Sequence, residues 1–180
     1  MANTEYPALP AHTKSGAIFL PDSFKALSRR DIQTLKDLAN ESGNNRFRYC
    51  LHAGPSDTLQ QMVLAMGRDL YLPPHRQVGR DKSYTLIEGE MQVVLFTESG
   101  DVSHVFEMGH SSALDKPFIV RFDSGLWHTV FPLTPQVVYQ ELLIGTFMGT
   151  EYAEWSPQTP AMIARQQEQI AQWLGRQGAG

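Results

Sequence analysis

Between Arg46 and Gly145 apolar and polar residues alternate with a period of two, the period of a strand with one face buried. The clearest case is Arg46-Phe47-Arg48-Tyr49-Cys50-Leu51-His52. Its alternation puts Arg46, Arg48, Cys50 and His52 on one face and Phe47, Tyr49 and Leu51 on the other. Further strands are predicted at 61–66, 70–72, 83–87, 91–96, 103–108, 118–122, 127–131 and 137–144. Gly89 stands at a tight turn between two of them, and Ser99-Gly100-Asp101 marks a hairpin. Eight or nine short strands joined by turns predict a mainly β chain, folded as an antiparallel sandwich or barrel.

The flanks differ. Residues 1–21 hold Pro7, Pro10 and Pro21 with no helical period, and read as an extended arm. A helix is predicted within 22–44. Ser28 and Asp31 have the spacing of a capping box, Ile32, Leu35, Leu38 and Ala39 recur at helical spacing, and Gly43 is the expected stop. The barrel is assigned to 45–157, and 158–180 to a second helix and tail. There Thr159-Pro160 reads as an N-cap followed by proline at the first helical position. Met162, Ile163, Gln166, Ile170, Trp173 and Leu174 form its apolar stripe, Gly175 its end, and 178–180 a frayed tail. Such a stripe is expected to pack on the chain's own barrel.

Composition narrows the class. A chain of 180 residues with 42% hydrophobic and 19% charged residues buries a core without disulfide or metal staples. The net charge of −4 provides no basic field for nucleic acid or an anionic membrane. The single cysteine, Cys50, excludes an intrachain disulfide and multi-cysteine zinc sites. No apolar run approaches the ~20 residues of a spanning helix. Without a recognisable leader, the expected compartment is the cytoplasm.

The candidate chemistry lies on the strands. His75 and Gln77 share a face of an extended segment, and a glycine turn at Gly125 delivers His128 to a strand start. The Arg46/Arg48/Cys50/His52 face is either a solvent-facing strand or a wall for an anion, since arginine forks bind carboxylate or phosphate bidentately. Cys50 and His52 have the spacing of a nucleophile and base, but no orienting third residue is visible, so a buried inert thiol is expected. Tyr84, Tyr139 and Glu141 sit at positions for a general acid or base. His12, His104 and His110 read as solvated.

The order of these pieces resembles the cupin pattern: Gly67, His75-Arg76-Gln77, Gly89 and Gly125-Leu126-Trp127-His128 fall in register with its two motifs. A narrower resemblance, to the WbuC-type cupins of O-antigen and other surface-polysaccharide gene clusters, covers Asn45 to Pro157. It includes Tyr71-Leu72-Pro73-Pro74-His75-Arg76, Ile87-Glu88-Gly89-Glu90-Met91, Leu126-Trp127-His128-Thr129 and Trp155-Ser156-Pro157. The resemblance implies a single-domain antiparallel jelly-roll barrel, often a homodimer, with a small-molecule pocket. It also implies one divalent ion (zinc, iron, nickel or manganese) held by His75, Gln77 and His128. Two usual ligands are replaced, the second histidine by Gln77 and the glutamate by Lys82. An inward ammonium repels a cation by ~4 kcal/mol at 4 Å and an effective dielectric near 20. A Lys82 turned to solvent, with Asp81 or water completing the set, would restore the site.

Beside an assembly role, with the barrel as a dimerisation unit and the extended arm adding a strand to a partner's sheet, two functions of the pocket stay open on the sequence. One is an enzyme acting on a sugar, sugar nucleotide or other small anion. It would use either a metal or a metal-free isomerase or epimerase chemistry, with His75 or His128 as the base and a tyrosine, Tyr84, as the acid. Arg46, Arg48, His52, Lys82 and Glu141 would bind the ligand. The other is a non-catalytic binding or regulatory module without metal.

Overall fold

The period-two segments pair into two sheets. The computed structural model describes residues 16–20 and 25–177. Its elements are β1 (Ala17–Phe19), α1 (Arg29–Glu41), β2 (Arg46–Cys50), β3 (Leu59–Gly67), β4 (His75–Arg76), β5 (Asp81–Glu88), β6 (Met91–Phe96), β7 (Val102–Met108), β8 (Ile119–Phe122), β9 (Trp127–Pro132), β10 (Gln136–Ile144), β11 (Glu151–Tyr152) and α2 (Pro160–Gln177). Most of the arm at 1–21 and the tail at 178–180 lie outside the described residues, as does His12.

One sheet runs β1-β2-β3-β10-β5-β8 and the other β11-β4-β9-β6-β7. Every neighbouring pair is antiparallel except β1 and β2, which run parallel, against the wholly antiparallel expectation. Strands adjacent in sequence are split between the sheets: β4 pairs with β9, and β5 with β10 and β8. The chain therefore winds as a double-stranded β-helix, the jelly-roll architecture of the cupin fold.

The side chains divide into three apolar layers. Between the sheets lie Leu64, Met66 and Leu86 from one and Met91, Val93 and Val130 from the other. On the outer face of the first sheet, α1 seats Ile32, Leu35, Leu38 and Ala39 against Phe47, Tyr49, Val63 and Val138. Burying each large aliphatic side chain there is worth ~1.5–3 kcal/mol. On the outer face of the second sheet, α2 seats Ile170 against Val94, Phe131 and Phe96.

The predicted caps form. Ser28 Oγ accepts from the Asp31 amide at 3.4 Å, and the Asp31 carboxylate accepts from the Ser28 amide at 2.6 Å. Thr159 Oγ1 accepts from the Met162 amide at 3.3 Å, and α2 starts at Pro160. Other boundaries differ. The C-cap of α1 is Ser42 in an extended conformation, its amide donating to Leu38 and Ala39, so Gly43 is not the stop. α2 runs through Gly175 to Gln177 and leaves Met162 exposed. Residues 70–72 form a loop, where Leu70 and Leu72 pack on the core without a ladder partner. Gly89 is at φ +83°, and a Cβ there would lie 2.7 Å from the Gln136 carbonyl oxygen, so the β5–β6 turn needs glycine.

No helix among the described residues is long and apolar enough to cross a membrane.

Candidate functional site

The apolar filling between the sheets stops short of one end, where the inward positions turn polar. A cavity of about 260 Å³ opens there. Strand β2 contributes Arg46, Arg48 and Cys50, β4 His75, β5 Lys82 and Tyr84, and β10 Tyr139 and Glu141. On β2, β5 and β10 these are alternate residues, so one face of each of those strands supplies the wall. His52, just past the end of β2, lines it as well, with its ring edge-on to Phe19. The predicted strand through His52 thus stops at Cys50, but the side chain keeps the same face.

The floor is a hydrogen-bonded charge cluster. Lys82 Nζ lies 2.8 Å from Glu141 Oε1 and 2.9 Å from His128 Nε2. Tyr84 Oη donates to the same Glu141 oxygen at 3.4 Å. The His75 and His128 rings sit 4.3 Å apart, a consequence of the direct β4–β9 pairing of these two residues. Each Nδ1 lies near a backbone carbonyl oxygen, that of Pro73 at 3.0 Å and of Leu126 at 2.9 Å. Nδ1 is therefore the donor, which leaves Nε2 of each ring as the acceptor. The Nε2 of His128 is taken by Lys82. That of His75 has no hydrogen-bond partner among the described residues.

Burial and the neighbouring cation set the protonation states. Burial, with the Lys82 charge, brings the His75 pKa down to about 4 and holds His128 well below the usual histidine range. Burial alone would raise Glu141, but Lys82 and then Arg46 outweigh it and bring that carboxyl down to about 2. Burial pulls Lys82 below the usual lysine range, against the attraction of Glu141. Burial, then the Glu141 charge, pushes Tyr84 well above 10. Near pH 7 the floor therefore holds neutral imidazoles, a carboxylate and a protonated phenol. The Cys50 thiol is buried and raised by that burial, only partly offset by Arg48, which leaves it a poor nucleophile.

The wall carries excess positive charge. Arg46 and Arg48 form no ion pair among the described residues, and the Nε of each is buried without a hydrogen-bond partner. Arg80, 3% exposed, donates to the Gly145 carbonyl and to Gln60 Oε1. Facing Glu141, the cavity thus carries Arg46, Arg48, Arg80 and Lys82. An anion relieves this imbalance, and arginine forks match carboxylate or phosphate oxygens.

A resident metal does not fit the donor set. Among the described residues no group of three or more His, Cys, Asp or Glu side chains is placed to hold one. Lys82 turns inward, not to solvent, and its ammonium fills the space facing His128 Nε2. Gln77 turns its amide nitrogen to Thr150 Oγ1 at 3.2 Å, and its buried Oε1 is unpartnered. Asp81 is occupied outside the cavity, where it accepts from Arg121 at 2.7 Å. Of the set His75, Gln77 and His128, His128 thus faces a lysine and Gln77 is engaged with Thr150. His104 and His110 are exposed and apart from the cavity, with His104 on β7.

Several lining residues carry no sequence signal of their own: Gln60 and Arg80, and the mouth residues Phe19, Phe147 and Tyr152. Arg80 follows the Val78-Gly79 turn and reads as a surface residue. Only the long-range contacts with Gln60 and Gly145 bring it inside.

The architecture and the inward polar end define a protein with a cupin-type barrel. A family model described as a domain of unknown function (DUF6016) matches residues 27–108, from α1 to β7. No curated protein matches. Among solved structures, one is an uncharacterized conserved protein with a double-stranded beta-helix domain from Klebsiella pneumoniae. It is 16% identical, covers 64% of this chain and 88% of that one, and has a TM-score of 0.47. The DMSP lyase DddQ from Ruegeria pomeroyi is 22% identical over 61% of this chain and 53% of its own, with a TM-score of 0.47. KdgF from Halomonas sp. is 16% identical over 56% and 80%, with a TM-score of 0.41. The activities in those names belong to those proteins.

Proposed function

We propose that the cavity takes a small anionic or sugar-derived molecule and that its floor moves a proton on that ligand. The carrying observation is the pair Arg46 and Arg48, which face the cavity without a carboxylate partner and with unpartnered Nε groups. At 260 Å³ the cavity lies just below the ~300–1,000 Å³ range of ligand pockets. That size favours a sugar acid or small organic acid over a sugar nucleotide. The WbuC-type resemblance agrees with a sugar-derived ligand. A cytoplasmic homodimer serving polysaccharide synthesis belongs to the same reading.

The roles follow from the protonation states. His75 is the base, because it is neutral and its Nε2 is free of partners in the chain. His128 is a positioning group, since Lys82 occupies its Nε2. Tyr84, kept protonated, is the acid. Lys82 and an arginine stabilise the enolate-like anion formed when a proton leaves a carbon beside a carboxylate. His52 and Glu141 complete the wall and floor. The reaction class is an epimerisation or isomerisation.

Calorimetry with uronic acids, small hydroxy acids, sugar phosphates and sugar nucleotides tests the binding part. Small acids should bind wild type. Arg46→Ala and Arg48→Ala should each weaken them ~10–100-fold, the worth of a hydrogen bond to a charged group. Equal affinity in both variants would overturn the anion reading. Proton exchange on a bound ligand in D₂O, followed by NMR, tests the chemistry. It should occur with wild type and stop with His75→Gln. Tight binding without exchange would make the protein a binding module.

A further inference from the structure

The second anomaly of the cavity concerns cations, and it is independent of which ligand binds. Two acceptors, His128 Nε2 and Glu141 Oε1, meet at one point of the floor, and the His75 ring lies 4.3 Å from that of His128. Tethering Nδ1 to a backbone carbonyl, as both imidazoles do, is how metal-ligating histidines are oriented. At the convergence stands an ammonium, which has three N–H donors and no lone pair to offer.

We infer that Lys82 is the cavity's resident cation: its ammonium fills the point where His128 and Glu141 converge and bars a divalent ion from a latent metal site. The distances support the substitution. Metal–nitrogen and metal–oxygen bonds are ~2.0–2.2 Å, while Nζ sits 2.8 and 2.9 Å from Glu141 and His128. Closing the two donors on an ion at that point takes less than an ångström each. What bars the ion is charge and space. The ammonium occupies the position, and Arg46 and Arg80 add their fields to the same floor. Gln77 Oε1, buried and unpartnered on the cavity wall, is a further neutral donor.

The consequence is that one side chain sets the cofactor class of the cavity. Exchanging the ammonium for a carboxylate changes the floor by two charge units and adds a ligand where His128 and Glu141 already meet. The test uses divalent ions alone, so it does not depend on the organic ligand or on activity. Untagged wild type, Lys82→Glu, Lys82→Met and the double variant Lys82→Glu/His128→Ala are equilibrated with Zn²⁺, Ni²⁺ or Mn²⁺. Bound metal is then counted by elemental analysis, and affinity is read by calorimetry.

Wild type should retain no stoichiometric metal. Lys82→Glu should take up close to one ion per chain, with affinity raised about a hundredfold or more, and adding His128→Ala should remove it. Lys82→Met, which deletes the charge and keeps the chain length, should bind between the two. The inference is overturned if wild type holds a stoichiometric ion, or if folded Lys82→Glu binds no more than wild type. If the carboxylate variant does not fold, Lys82→Met decides: uptake above wild type supports the inference, and equal uptake overturns it.

Discussion

Removing the Glu141 carboxylate while Lys82 stays in place probes the electrostatics of the floor. The pair is 2.8 Å apart, with side chains 2% and 11% exposed. At an effective dielectric near 20 this separation corresponds to ~6 kcal/mol of attraction. Burial of both ions cancels part of that. Deleting one partner of a buried pair still costs ~3–5 kcal/mol, because the other charge is left stranded. Glu141→Gln keeps the side-chain volume and should lose that amount, a fall in Tm of ~6–20 °C for a chain of this size. Lys82→Met should lose a comparable amount. The double variant strands nothing, so its loss should fall short of the sum by ~2 kcal/mol or more. Urea unfolding followed by the fluorescence of Trp127, Trp155 and Trp173 reads all four proteins, with unchanged m-values as the internal check. Single variants that each cost under ~1 kcal/mol and add in the double would refute the reasoning.

Acid should destabilise the protein in two windows. The His75 pKa falls from 6.5 in the open chain to about 4 in the fold, so the unfolded chain binds the extra proton. Its contribution is complete above pH 6.5 and is lost as pH falls toward 4, ~3 kcal/mol in all, and His128 acts in the same direction. Glu141, held at about 2 against 4.5, adds a second loss below pH 4.5. Urea midpoints at pH 7, 5.5 and 4.5 should fall steadily, and less steeply in His75→Gln; a flat profile would contradict the burial of neutral imidazoles. Outside the cavity, Ser28→Ala removes one half of a capping box and should cost ~1 kcal/mol by the same assay, leaving ligand affinity unchanged.

What could be read from the chain alone was local. The alternation of Arg46, Arg48, Cys50 and His52 placed four polar groups on one face, and that face lines the cavity. The caps at Ser28 and Thr159 were visible because a cap is decided within four residues. What stayed hidden was set by pairings across the chain. Lys82 finds His128 across 46 residues, and the β5–β10 register that brings Glu141 beside Tyr84 has no local signature. The metal set was legible as three residue types but not as a geometry, because the orientation of Lys82 decides it. Strands β1, β4 and β11, of two or three residues, are too short to carry a period. Leu70 and Leu72 offered the hydrophobicity of a strand without a neighbouring strand to form a ladder with.

The floor joins β5, β9 and β10, and this bears on how the chain is assembled during synthesis. Lys82 leaves the ribosome well before His128 and Glu141, its two acceptors. In that interval a lysine stands on a strand otherwise prepared for burial, and water is its best partner. The sheets have no electrostatic reason to close over it until β9 and β10 arrive. Closing the barrel over Lys82 before β9 and β10 have paired would strand a buried charge, the costly state that the complete floor avoids. The charge cluster of the floor is therefore complete only once β5, β9 and β10 have all paired.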